Sequence, residues 1–291
     1  MKLVSYNIQY GLGADGRYDL ARIADEIRDA DIIALQEVDR YWVRSGMVDE
    51  PQVIADALGD RYWVYGANAD MDASFRTSEG RFVSRRRQFG TMVLSRFPIL
   101  SSRNFPLPKF ATLTQHSIQQ GMLETVIAVG EGALRVYSVH LSHLCAETRL
   151  PQVEAMLDIF ARAPAEGGAW CGGHPDPAAG WTEGNMPPMP RDMVVMGDMN
   201  FTADSAEYAR MIGPQAGQYG RLVNRDGLID AWVAGRNPEG EGSTHPQGGR
   251  IDYCFVSASQ AGKVRRCWAD KTAKGSDHYP LWTELDDLSA G

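Results

Sequence analysis

The chain has 291 residues; 29 Lys and Arg stand against 37 Asp and Glu, a formal charge of −8, and 44% of residues are hydrophobic. These are the proportions of a folded globular chain, long enough to enclose about three-quarters of its unfolded surface. They exclude a basic nucleic-acid coat, an apolar run of the ~20 residues a membrane span needs, and a disulfide scaffold, since Cys145, Cys171, Cys254 and Cys267 form no CxxC pair. No apolar leader opens MKLVSYNIQYG, so a cytoplasmic protein without integral membrane association is expected.

Lys2 to Tyr6 reads as a strand ending at Asn7, followed by the Gly-rich turn GLGADG. Leu20, Ile23, Ala24 and Ile27 recur at helical spacing and predict an amphipathic helix from Tyr18 to Asp29. IIALQEV is a continuous apolar run, as in a strand buried on both faces, and it ends in Gln36 and Glu37. Pro51 to Leu58 predicts a helix with proline at its start. GTMVLSRFPI, GMLETVIAV and ALRVYSVHL, separated by turns, predict a largely antiparallel stretch. RLPQVEAMLDIFARA places Leu150, Val153, Met156, Leu157 and Phe160 on one helical stripe. MVVMGDMN is a buried strand that stops in a polar cluster; YARMI is a short helix; IDYCFVSA and HYPLWTEL are further strands.

Two segments read as surface excursions. One, near 72–88, carries Arg76, Arg81, Arg85, Arg86 and Arg87; the other, near 165–190, is rich in Gly and Pro and includes MPPMP. Trp170 and Trp181 are expected to pin the second excursion down. No linker or repeat divides the chain, so one domain over residues 1–291 is expected.

Polar residues fall at the ends of these strands: Asn7, Glu37, His140, Asp198, Asn200, Asp252 and the pair Asp277-His278. Each has an ordinary explanation by itself. Asn7 suits a turn, Glu37 a surface ion pair, Asp198 or Asn200 a helix N-cap, and Asp277-His278 a turn leading into a strand. Together they are harder to dismiss, because loops at strand ends converge over a rigid frame and form sites. Carboxylates and amide carbonyls are hard oxygen ligands suited to Mg2+ or Mn2+, and histidines without cysteines argue against structural zinc. Such a set around a hard cation matches phosphoester hydrolysis.

SYNIQYG, LQEVD, YSVHLSH, VMGDMN, RIDYCFVS and SDHYP, in this order from Ser5 to Pro280, resemble the endonuclease/exonuclease/phosphatase superfamily, the deoxyribonuclease-I-like fold, in its bacterial metal-dependent hydrolase group. The resemblance implies an α/β fold: a four-layered α/β/β/α sandwich of two mixed sheets with the site at one edge. It implies that Asn7 and Glu37 hold the divalent metal, with Asp277 helping from the opposite side. Asp198 would position or deprotonate the attacking water, and Asn200 would bind the phosphate and orient the nucleophile or a metal. His140 would contact a phosphoryl oxygen, and His278, oriented by Asp252, would bind the scissile phosphate. The reaction would be in-line attack of water on phosphorus without a covalent intermediate, since no Ser or Cys nucleophile elbow is present.

The resemblance fixes chemistry rather than substrate. GDMNFTADSAEY looks more like members acting on phospholipids or small phosphoesters, and His143 departs from the DNA-cleaving pattern. Arg85, Arg86 and Arg87 would form a positive patch for an extra phosphate, with His143 lining the pocket and Arg149 a further candidate. The expected function is therefore a metal-dependent phosphoesterase on a small-molecule or lipid-derived phosphoester. DNA or RNA cleavage by the same site is the alternative, disfavoured by charge, and a catalytically inactive phosphate-ligand binding protein is an alternative of another class.

Overall fold

Apolar strands assemble into two large sheets of six strands each. The structure is a computed structural model and describes residues 1–286. In chain order the strands of these sheets are β1 (Lys2–Asn7), β2 (Ile32–Arg40), β3 (Tyr62–Asp72), β4 (Arg86–Ser95), β5 (Ile99–Pro106), β6 (Gly121–Val129), β7 (Gly132–His140), β8 (Met193–Asp198), β9 (Leu228–Asp230), β10 (Asp252–Ser257), β11 (Val264–Ala269) and β12 (Leu281–Leu285). The helices are α1 (Leu20–Ile27), α2 (Glu50–Leu58), α3 (Ala146–Glu166), α4 (Ala206–Ile212) and α5 (Ala231–Ala234).

The first sheet has the order β11-β12-β1-β2-β4-β3, the second β9-β10-β8-β7-β6-β5. Each has one parallel pair at its middle, β1 with β2 and β7 with β8, and antiparallel neighbours beside it. A parallel pair delivers two C-terminal ends to the same edge. Asn7 and Glu37 stand at that edge of the first sheet, His140 and Asp198 at that of the second.

Alternation along the central strands explains the layers. Leu3, Ile32, Ala34, Val194, Met196 and Cys254 point inward, into a core between the sheets. Their neighbours Val4, Ile33 and Leu35 point outward against Ile23 and Ile27 of α1 and Ile54 of α2. Val195, Tyr253 and Phe255 point outward against Val153, Met156 and Phe160 of α3 and Tyr208 of α4. Three cores separate four layers, helix, sheet, sheet, helix, as expected from the sequence.

Several boundaries differ from expectation. GTMVLSRFPI is not one strand: the chain leaves the first sheet after Ser95 and enters the second at Ile99, across Arg96–Pro98. β3 was not anticipated, because Gly66, Ala67 and Asn68 interrupt its apolar pattern. The glycine opposite them in β4 has a packing reason, since a Cβ on Gly90 would lie 2.0 Å from the Gly66 carbonyl oxygen. β9 and β11 were likewise not anticipated: the first is very short, and the second carries Arg265 and Arg266. Residues 72–88 are not a loop but the far end of the β3–β4 hairpin, with Asp72 paired to Arg86 and a second small ladder joining Phe75 to Val83 and Arg76 to Phe82. HYPLWTEL becomes a strand only at Leu281; before it, Tyr279 N–H is bonded to Thr244 O and Pro280 has no N–H to give. α3 starts three residues before Arg149. Residues 167–192 are irregular apart from a short 3-10 turn at Pro177–Ala179, and Trp181 is 76% exposed, so it pins nothing; Trp170 is half-buried. Among the described residues no helix is long and apolar enough to cross a membrane.

Candidate active site

Asp198, the last residue of β8, is in register with His140 of β7 on one side and Asp252 of β10 on the other. Its Oδ2 accepts a hydrogen bond from Asn7 Nδ2 at 2.9 Å, and its Oδ1 accepts Asn200 N–H at 3.0 Å. Asn7 also donates to Glu37 Oε1 at 3.1 Å, so one amide bridges two carboxylates from opposite sheets. Its own Oδ1 accepts Gln9 N–H at 3.0 Å. Glu37 reaches this point because β2 bulges between Leu35 and Val38, and Glu37 itself adopts the left-handed region at φ 55°. A bulge re-aims a side chain, and a non-Gly residue in this region carries backbone strain that the surrounding structure must hold. Asn200 is also left-handed, at φ 52°, a conformation Asn tolerates, and its side-chain Nδ2 donates to Leu141 O.

Two imidazoles face Asp198. His140 Nε2 is 3.6 Å from Asp198 Oδ2 and 3.7 Å from Glu37 Oε1; His278 Nε2 is 3.8 Å from the same Asp198 oxygen. Their electrostatics diverge. Burial pushes His140 down to about 4, outweighing the pull of Asp198, so it is neutral at pH 7. Burial also acts downward on His278, but Asp252 and Asp198 outweigh it and raise His278 to about 10, so it is an imidazolium. Asp252 Oδ2 lies 2.9 Å from His278 Nδ1 and fixes the ring. Burial raises the Asp198 carboxyl, and burial with the neighbouring Asp198 charge raises Glu37 to about 7 against the opposing Asn7 hydrogen bond. Glu37 keeps 24% of its side chain exposed, the open face of the pair.

The structure brings Asn7, Glu37, His140, Asp198, Asn200, Asp252 and His278 into one cluster. Asp277 borders it: half-exposed, its Oδ2 is 4.0 Å from His245 Nε2, and its charge is felt by both Glu37 and His278. His143 is an exposed residue stacked on His116, with ring centroids 6.3 Å apart.

The arginines are placed differently from expectation. Arg149 donates Nε to Glu207 Oε1 at 2.8 Å and Nη1 to Ser142 O, which ties α3 to α4. Arg85 lies between the rings of Tyr41 and Phe75, Arg86 pairs with Asp70 at 2.8 Å, and Arg87 stacks on Trp42 and donates to Tyr41 O. Their partners belong to the hairpin and the Tyr41–Trp42 turn rather than to the cleft.

Sequence reasoning missed three residues near the site. His245 packs edge-to-face on His278 with centroids 5.1 Å apart. It sits in the loop before RIDY, and its place as one of six histidines was the only signal. Arg44 is clamped to buried Asp39 by two hydrogen bonds of 2.9 Å and lies 4.2 Å over the Tyr10 ring and 4.5 Å over Trp42. Gln36 spans the two sheets beneath the site, donating to Ser138 Oγ at 3.0 Å.

Among the described residues three groups bring ligand atoms within 4.8 Å of one another: Glu37, His140 and Asp198; Asp198, Asp252 and His278; and His245, Asp277 and His278. In the first of these, Glu37 has the open face and oxygen donors that a hard cation needs. Buried Asp252 Oδ1 and His140 Nδ1 have no hydrogen-bond partner within the protein, so each is free for one further contact.

Comparison with known proteins agrees with this architecture. No curated protein sequence matches the chain. An endonuclease/exonuclease/phosphatase family protein from Leptotrichia buccalis has a similar structure, with TM-score 0.62 at 18% identity, covering 98% of this chain and 99% of that one. A mannosyl-6-phosphatase from Bacteroides thetaiotaomicron gives TM-score 0.62 at 15% identity, covering 98% and 99%. The catalytic domain of human Nocturnin, solved with a bound sulfate anion, gives TM-score 0.58 at 15% identity, covering 98% and 93%. These likenesses concern the fold. The profile of the Endonuclease/Exonuclease/phosphatase family matches residues 4–278, nearly the whole length, and the chain belongs to that family of phosphoester hydrolases.

Proposed function

We propose that this chain is a divalent-metal-dependent phosphoesterase that hydrolyses a P–O ester by in-line attack of water, acting in the cytoplasm on a small-molecule or lipid-derived phosphoester. One observation carries the reading: a single buried carboxylate, Asp198, has two imidazoles, His140 and His278, within 4 Å of its Oδ2, and His278 is held from behind by Asp252. Burial lowers the first and the carboxylates raise the second, and neighbours pushed apart in this way divide acid and base roles between them.

Asp198, held by Asn7 and by the Asn200 N–H, takes the proton from the attacking water. His278, kept charged by Asp252, donates from Nε2 to the scissile phosphate. Neutral His140 offers Nε2–H to a phosphoryl oxygen. Asn200 binds the phosphate and orients the nucleophile. Glu37, with Asn7 and Asp277, would hold Mg2+ or Mn2+, and a divalent cation supplies charge stabilisation on the phosphoryl oxygens. The fit lies in the donor chemistry: hard oxygen atoms, an open face on Glu37, and buried negative charge that raises the Glu37 carboxyl.

The test is hydrolysis of bis-p-nitrophenyl phosphate, sensitive to EDTA and restored by Mg2+ or Mn2+. Glu37→Ala and Asp198→Asn should each lower turnover by roughly 10² or more while the fold is retained. No hydrolysis with Mg2+, Mn2+ or Ca2+ would instead indicate a phosphate-binding protein, and a fully active variant would remove the assigned residue. Cleavage of oligonucleotides with steep salt dependence would select the nuclease alternative.

A further inference from the structure

We propose that the tip of the β3–β4 hairpin is a docking surface for an anionic lipid membrane, placed on the same edge as the cleft. The topology sets the position. β4 is antiparallel to β2, with Gln88 paired to Arg40, so the hairpin leaves the first sheet at the end of β2 that carries Glu37. It continues as an ordered arm: Asp72 pairs with Arg86, and beyond them the Phe75–Val83 and Arg76–Phe82 ladder runs to a turn at Gly80.

The arm's composition opposes that of the rest of the molecule. Residues 70–88, the paired strands with their turn, hold five arginines against Asp70, Asp72 and Glu79, a local positive excess in a chain of net charge −8. Among the described residues only Arg86 of the five has a carboxylate partner, Asp70. Apolar side chains share the surface: Phe82 is 59% exposed and Phe75 40%. Large exposed aromatics on a projecting tip lose free energy on entering an apolar phase, and aromatic residues prefer the membrane interface. Guanidinium groups beside them suit lipid phosphates, and basic residues are drawn to an anionic leaflet.

A nucleic-acid strand fits less well. Strand binding uses a charged groove with free aromatic faces for base stacking. Here the surface is the end of a two-stranded ladder, and Arg85 already covers Phe75 with its guanidinium 4.6 Å from the ring centroid. The same arginine-aromatic packing links the arm to the site. Arg87 lies over Trp42, Trp42 under Arg44, and Arg44 by Phe89, whose ring centroid is 6.0 Å from that of His140. The tip stands up to roughly 17 Å of extended chain beyond Arg87, so a membrane seated on it would face the same edge of the molecule as the cleft.

The proposal goes beyond the phosphoesterase reading, because binding to vesicles is measured without turnover. The full chain is sedimented with vesicles of phosphatidylcholine containing a minority of phosphatidylglycerol, and with pure phosphatidylcholine vesicles. Preferential binding to the anionic vesicles is expected, weakening with salt. Phe82→Ser and Arg81→Ser, both at the exposed tip, should each reduce that partition several-fold, and together by roughly tenfold or more, with unchanged thermal melting and unchanged hydrolysis of a soluble ester. Equal binding to both vesicle types, or undiminished binding by the double variant, would overturn the proposal. So would a single-stranded oligonucleotide that binds more tightly than the vesicles and needs the same two residues.

Discussion

His278 Nδ1 lies 2.9 Å from Asp252 Oδ2, and both groups are buried. Asp252 is itself fixed, since its backbone N–H donates to Thr244 Oγ1 at 3.1 Å. The pair turns His278 Nε2 toward Asp198 and keeps the ring charged. A carboxylate behind a histidine sets both the tautomer and the direction of proton transfer.

Asp252→Asn should therefore reduce turnover by on the order of 10²–10³, the range of a lost acid-base partner. The variant removes the charge that offsets burial, so His278 should lose its proton at lower pH. A pH–rate profile of the variant is expected to show its alkaline limb displaced toward neutrality. An unshifted limb would mean that Asp252 does not govern His278.

The same pair makes folding stability depend on pH. The folded protein holds the His278 proton up to about 10, whereas an unfolded chain releases it near the ordinary imidazole value of about 6.5. The stabilisation is complete below about pH 6.5, declines as pH rises, and is gone above about pH 10, a total on the order of a few kcal/mol. His140 works in the opposite direction: lowered to about 4, it contributes stability above about 6.5 that is lost as pH falls through about 4. Glu37, raised to about 7, opposes His140, because between about 4.5 and 7 the folded state keeps a proton that the unfolded chain has lost. Urea denaturation in EDTA should therefore show its clear decline on the alkaline side, and Asp252→Asn should flatten that decline.

Legibility in the sequence followed from locality. Asn7, Glu37, His140 and Asp198 were visible because each ends an apolar run, and parallel pairing brings such ends together without further information. Asp252 and His278 were visible through motif order, though the 2.9 Å contact between them depends on how β10 and the loop before β12 close. What depended on distant partners was not legible. Glu207 lies 58 residues beyond Arg149, and nothing local marked that arginine as already engaged. The arginines near 72–88 looked like a loop beside the site because β3, broken by small residues, was not recognised as the other half of their hairpin.

Arg149→Ala tests that correction. Removing the guanidinium leaves Glu207 buried without its partner, an arrangement that costs about 3 kcal/mol or more. Melting should fall by several degrees while KM for the phosphoester stays unchanged. Replacing Glu207 with Gln in the same chain should recover part of the loss, because the uncompensated charge is removed. A raised KM at unchanged melting would return Arg149 to the substrate.

Gly197 explains why the residue before Asp198 in VMGDMN is small. A Cβ built there would meet the Val139 carbonyl oxygen at 2.0 Å, and that atom is backbone of the neighbouring parallel strand, so no side-chain rotation relieves the clash. Gly197 is in register with Val139, and the next pair is Asp198 with His140. Gly197→Ala must therefore part β7 from β8 at the point where both present their functional side chains. A loss of at least about 2 kcal/mol is expected, with turnover reduced even in the fraction that remains folded. Comparison with Gly172→Ala, at an open position with nothing within 4 Å, separates the steric effect from the loss of a glycine, although the φ of 76° there carries its own modest strain. Equal effects from the two substitutions would show that backbone conformation, rather than the close approach of β7 and β8, requires the glycine.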